Sequence, residues 1–207
     1  MGGMPSPSSF AGLENFRWVL ESQLAVGGKP DEANDQALQA LKRSGFVLVG
    51  KFNSNFQSKM QHYRIPFVSF FDLQDRMDEP FASRDLEPVL FSLKKILSSP
   101  KGKAYLCCAF GYTLSPTIAL VFLTEVQKFS IEQAMRAIKP VRSIHEEEIL
   151  KRYIEYFAKK QAHRHEPVPV GVRPVPPVVF WPKKDPPHFS SRRPVSLAPK
   201  RFLRRKK

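Results

Sequence analysis

Residues 104–117 read Ala104-Tyr105-Leu106-Cys107-Cys108-Ala109-Phe110-Gly111-Tyr112-Thr113-Leu114-Ser115-Pro116-Thr117. The run from Ala104 to Cys108 is continuously apolar and short, as a strand buried on both faces would be. The run Thr117-Ile118-Ala119-Leu120-Val121-Phe122-Leu123 is apolar and continues past strand length, so it reads as a buried helix. Ser115 suits an N-cap and Pro116 then falls at the first helical position, where its missing N–H costs nothing. Strand, tight loop and helix N-terminus follow one another. The loop's N–H groups and the positive helix end make this geometry fit for an oxyanion. A cysteine at the loop entrance would have its thiolate stabilised by the same field.

Outward from this stretch, strand and helix patterns alternate. Phe16 to Leu20 and Gln23 to Val26 read as short strands, with a turn at Gly27-Gly28-Lys29-Pro30. Trp18 reads as a core anchor. Asp35 to Ser44 is a helix with Ala37, Leu38, Ala40 and Leu41 on one side, and Gly45 stands where a helix stops. Phe46 to Val49 is a buried strand, Asn53 to Ser58 a polar connection, and Tyr63 to Val68 the next strand. Ser83 opens a helix whose apolar face is Leu86, Val89, Leu90, Leu93 and Leu97. Ser130-x-x-Gln133 is a capping box for a helix that runs to Lys139 and stops at Pro140. Ser143-x-x-Glu146 is a second, opening a long helix with Ile149, Leu150, Tyr153, Ile154 and Phe157 inward. The expected fold class is α/β, with a mostly parallel central sheet flanked by helices on both faces.

The loop resembles the phosphate-binding loop of the cysteine-dependent phosphatases, in their dual-specificity branch. That loop reads His-Cys-x-x-Gly-x-x-Arg-Ser, often continuing Pro-Thr. Cys108 matches the nucleophile, Gly111 the loop glycine, and Ser115 the hydroxyl that helps the thiolate leave; Pro116-Thr117 continues the match. Tyr112 and Thr113 fill the variable loop positions. Cys107 stands where the family has histidine, and Leu114 where it has arginine. The aromatic-x-Trp-Val-Leu and Gln-Leu-Ala-x-Gly-Gly patterns near the start resemble the opening of small dual-specificity phosphatases. The resemblance spans roughly residues 15–160. It implies a general acid roughly thirty residues before the cysteine. Asp72, Asp75 and Asp78 all lie in that window; Asp75 is favoured, and an acidic surface loop is the plainer reading. Arg142 falls in a segment that the family places beside the active site, though a solvated arginine between helices is the plainer reading.

Leu114 decides the expected chemistry. Phosphoryl transfer depends on positioning and charge stabilisation. Arginine grips two phosphate oxygens with a permanently charged planar fork, and leucine offers neither donor nor charge. Loss of one preorganised donor costs ~10²–10³ in rate. The resemblance therefore implies a degenerate member of the family, a pseudophosphatase that acts as a binding or structural module. A weakly active or atypical phosphatase using Cys108 is one alternative. A phospho-residue-binding module is another, although binding needs the arginine as much as catalysis does. The sequence calls for no cofactor and no metal.

The chain of 207 residues carries a net charge of +14, unevenly spread. From Lys159 to Lys207 there are 14 Lys/Arg against Glu166 and Asp185, a net +12 that leaves +2 for residues 1–158. Ten prolines fall between Glu166 and Pro199. Such a stretch favours extended backbone. Lys183-Lys184, Arg192-Arg193, Lys200-Arg201 and Arg204-Arg205-Lys206-Lys207 alternate with apolar groups, above all Phe180 and Trp181. Clustered charge and spaced aromatics suit a polyanion, with phosphates on the cations and bases or protein pockets on the rings. RNA or a ribonucleoprotein such as a ribosome or its assembly particle is the expected partner, alongside protein partners. A membrane surface fits less well. The organisation expected is a flexible leader over 1–14, a phosphatase-like domain over 15–162, and a Pro-rich basic tail over 163–207. The only two cysteines are sequence neighbours, which excludes a disulfide framework and suits a reducing intracellular home, cytoplasm or mitochondrion. No apolar run reaches the ~18–20 residues that span a bilayer. The opening Met1-Gly2 matches the loose myristoylation pattern, which Pro5 and Pro7 make a poor substrate segment.

Overall fold

A computed structural model describes residues 13–31, 34–69, 83–139, 145–163 and 177–182. The elements in chain order are β1 (Arg17–Leu20), β2 (Leu24–Gly28), α1 (Asp35–Arg43), β3 (Phe46–Gly50), α2 (Ser54–His62), β4 (Phe67–Ser69), α3 (Ser83–Leu97), β5 (Lys103–Cys108), α4 (Leu114–Glu125), α5 (Ile131–Ile138), α6 (Glu146–His163) and β6 (Val178–Phe180). The six strands form one sheet in the order β1-β2-β5-β3-β4-β6. β2, β5, β3 and β4 run parallel, while β1 and β6 close the two edges antiparallel. This is the expected α/β architecture.

Side chains alternate across the sheet, and each face has its own core. On one face Leu24, Val26, Val47, Val49, Leu106 and Cys108 pack under α3, α4, α5 and α6. On the other Ala25, Phe46, Leu48, Phe67, Tyr105 and Cys107 pack under α1 and α2. The adjacent cysteines thus point to opposite faces, as strand periodicity requires. β5 lies between β2 and β3 and its last five residues are buried, which explains its unbroken apolar run.

Several local expectations are corrected. The segment 53–58 is not a polar connection: α2 starts there, capped by Asn53, whose side chain accepts from the Phe56 N–H at 2.8 Å. Phe56 and Met60, one helical turn apart, supply its buried face. The following strand is shorter than Tyr63 to Val68, because Arg64 takes a left-handed φ of 56° and turns the chain before β4 begins at Phe67. β2 runs on through Gly27 and Gly28, which pair with Cys107 and Cys108, so the turn begins later than expected. On α6, Ile154 is 64% exposed and Tyr156 is fully buried. The inward face is Ile149, Arg152, Tyr153 and Tyr156, with helical i, i+3, i+4, i+7 spacing. Ser143, the expected cap of that helix, lies outside the described residues. The Ser130 capping box is present in full.

The last strand comes from the proline-rich stretch. β6 pairs antiparallel with β4, setting Phe180 opposite Phe67, and their rings stack with centroids 5.4 Å apart. The edge position suits a segment flanked by prolines, which cannot donate to a ladder. Phe180→Ala should lower unfolding stability by about 2 kcal/mol, less than a fully buried phenylalanine would cost. Trp181→Ala should be close to neutral, since Trp181 is 50% exposed. Denaturant unfolding of the two variants measures the difference; equal effects would mean that β6 does not hold the sheet edge.

Candidate functional site

The site forms where β5 ends and α4 begins, at the carboxyl ends of the parallel strands, the place where open α/β sheets bind ligands. Gly111 takes φ +76°, and a Cβ there would press into the Gly27 carbonyl carbon and lie 2.5 Å from Gly28 N. Only glycine lets the loop rest on the end of β2. Neighbours hold the loop by its backbone. Asn15 Nδ2 donates to Phe110 O at 2.7 Å, Lys29 N to Cys108 O at 2.6 Å, and Arg17 Nη2 to Gly111 O at 3.2 Å. The Arg17 guanidinium is lowered to about 10 by burial, opposed by Tyr105 and Cys108, and remains charged at neutral pH. Tyr105, buried against Gly28 O at 2.6 Å, has its phenol pushed well above the usual value by desolvation.

Cys108 Sγ accepts the Gly111 N–H at 3.2 Å and lies 3.4 Å from Ser115 Oγ, which donates to Gly27 O at 3.2 Å. Ser115 is not the N-cap. α4 begins two residues earlier than expected, at Leu114; Thr113 is the cap without a side-chain hydrogen bond, and Pro116 is the third helical residue. The apolar demand of Leu114 explains the shift: it is 3% exposed and packs into the core under α3 to α6. Ser115 thereby turns its hydroxyl towards Cys108. Cys107 is buried on the opposite face, and desolvation raises its thiol well above the ordinary value, so it is inert filler where the resembled loop has histidine.

A pocket of about 290 Å³ opens above Cys108. Leu114, Ala109 and Thr113 line it with Cys108, and Phe110 and Tyr112 stand at its rim. Arg152 on α6 and His145, the residue just before that helix, complete the lining. Phe110 and Tyr112 have ring centroids 6.3 Å apart, and Tyr112 and His145 6.0 Å apart. Arg152 is 2% exposed and its Nε meets Glu148 Oε1 at 3.0 Å. Arg17, Arg152 and His145 were not singled out from sequence. The available signal was a charged residue inside an apolar pattern: Arg17 in Phe16 to Leu20, and Arg152 between Ile149 and Tyr153.

Asp72, Asp75, Asp78 and Arg142 lie outside the described residues, as do the basic clusters from Lys183 to Lys207. Phe180 is half-buried on Phe67, whereas Trp181 projects from the sheet edge. Among the described residues no group of His, Cys, Asp and Glu is arranged to hold a metal, and no helix is long and apolar enough to cross a membrane.

This arrangement of sheet, loop and helix is the fold of the protein-tyrosine and dual-specificity phosphatases. Tk-PTP in its active form superposes with a TM-score of 0.54 at 13% identity, over 70% of this chain and 97% of that one. A mouse putative dual specificity phosphatase complexed with zinc tungstate gives 0.50 at 17%, over 79% and 96%. The human tyrosine phosphatase-like serine/threonine/tyrosine-interacting protein gives 0.50 at 14%, over 70% and 97%. No protein-family model matches the chain, and no curated protein matches it.

Proposed function

We propose that this chain is a phosphatase-fold protein without phosphatase chemistry, a binding or structural module that docks on RNA or a ribonucleoprotein through its basic tail. One observation carries the first half: the residue in the arginine position, Leu114, is buried in the apolar core and offers the pocket no charge. The field of the loop N–H groups remains, but a phosphate dianion also needs a charged fork to hold and neutralise it. Arg152 lines the pocket, but its charge is compensated by Glu148. The tail from residue 163 onward holds 12 Lys/Arg against Glu166 and Asp185, a net +10 that leaves +4 for the rest of the chain, and this supports the second half.

A weakly active phosphatase is the alternative with a specific observation behind it. Cys108 keeps both the Gly111 N–H and the Ser115 hydroxyl beside its sulfur. The two readings separate on oxyanion affinity. Tungstate at about 1 mM should leave the thermal midpoint unchanged. A rise of about 3 °C or more would report a dissociation constant near or below ~0.1 mM and favour the alternative.

A further inference from the structure

The pocket above Cys108 suits an apolar side chain with cationic neighbours better than a phosphate. Its lining is apolar at buried Leu114 and at exposed Ala109. Phe110, 61% exposed, and Tyr112, 37% exposed, offer ring faces at the mouth. An exposed aromatic cluster of this kind marks a contact site. The one guanidinium on the described wall is already matched by a carboxylate. Directly beyond His145, α6 opens with Glu146, Glu147 and Glu148, which line an adjoining depression with that histidine. Glu147 among them is exposed. Glu146 is paired with Lys139 at 3.1 Å and Glu148 with Arg152 at 3.0 Å, so the mouth combines aromatic faces with the carboxylate of Glu147.

We infer that this pocket docks the chain's own C-terminal segment, Lys200-Arg201-Phe202-Leu203-Arg204-Arg205-Lys206-Lys207. An adjacent apolar pair is flanked there on both sides by basic residues, six in eight positions, the complement of the aromatic mouth and of the exposed Glu147 beside it. Phe202 and Leu203 enter between the rim rings and Leu114, and the basic residues face the exposed Glu147. The segment can reach. From Pro182 to Phe202 is 20 residues, a span of up to ~66 Å when extended, against a radius of gyration of about 16 Å for a domain of this size. Tethering gives such a contact an effective concentration on the order of millimolar. This occupancy requires the loop to lack a phosphate grip, as proposed above. It does not require the tail to bind RNA, which would compete for the same cations.

The thiol of Cys108 lines the pocket and reports its occupancy; Cys107, buried on the other face, reports unfolding. Iodoacetamide labelling of the full-length chain, mapped residue by residue by mass spectrometry, measures both. At about 50 mM salt Cys108 should label slowly. Phe202→Ala with Leu203→Ala, and separately Glu147→Lys, should each accelerate it about tenfold with Cys107 still protected. Raising salt to about 0.5 M should accelerate the unmodified chain and leave the Phe202/Leu203 variant nearly unaffected. If a variant labels at Cys107 as well, the salt response of the unmodified chain decides. A Cys108 rate that ignores both salt and the substitutions overturns the inference. So does acceleration produced by Phe189→Ala in place of the Phe202/Leu203 change.

Discussion

Leu114→Arg should hydrolyse an aryl phosphate at least about 10²-fold faster than the unmodified chain, the scale of one recovered transition-state donor. The rest of the loop is in place to use it: Cys108 accepts the Gly111 N–H, Ser115 stands beside the sulfur, and Arg17, Asn15 and Lys29 hold the loop carbonyls. Position 114 lines the pocket, so a guanidinium on a longer stem can reach its mouth. The change also costs stability, because the residue leaves a 3% exposed site and brings a cation to a helix N-terminus. Restoring histidine at position 107 as well is not advised by the structure. Cys107 faces the core under α1 and α2, close against Gly50, and a larger ring there would cost about 1–3 kcal/mol in overpacking. A folded Leu114→Arg chain with no gain in turnover would place the defect outside that position.

Binding to structured RNA should fall steeply with salt. With about five to eight phosphate contacts from the four basic clusters, the log–log slope is roughly −3 to −6. Between 50 and 300 mM salt, that is a loss of about 10² to more than 10⁴ in affinity. Neutralising Arg204, Arg205, Lys206 and Lys207 together should flatten the slope without abolishing binding. The aromatic contribution is best tested at Trp181 alone, because Phe180 is engaged with Phe67 and its removal would loosen β6. Trp181→Ala should weaken binding at every salt concentration and leave the slope unchanged, since stacking releases no counterions. Salt-independent binding, or none, would make the tail a ligand for protein surfaces only.

The elements most legible in the sequence are those where one physical cause acts alone. β5 is apolar from Ala104 to Cys108 because that run is buried on both faces, and α5 announces itself through its capping box. α1 shows one clean apolar stripe and a glycine stop at Gly45. α2 was obscured because only Phe56 and Met60 are buried among its nine residues. α6 carries apolar residues at 149, 150, 153, 154, 156 and 157, a stripe too wide to fix its phase, so Ile154 and Tyr156 were exchanged. β6 is a three-residue edge strand bounded by Pro177 and Pro182, which local pattern reads as extended but cannot pair with β4. In the site, Cys108, Gly111, Leu114 and Ser115 are legible through the loop's resemblance to the phosphatase loop. Arg17 and Arg152 come from strands and helices distant in sequence, and only the tertiary fold brings them to the loop.

The central claim is that the Cys108 site performs no phosphoryl transfer. It is tested most directly by comparing the full-length chain with its Cys108→Ser variant on an aryl phosphate and a phosphotyrosyl peptide, at enzyme concentrations high enough for single turnover. The two proteins should be indistinguishable, each at the background of substrate alone, with no phosphate captured on Cys108. Turnover by the unmodified chain that disappears with Cys108→Ser would contradict the claim and make this fold an active phosphatase with another source of positive charge.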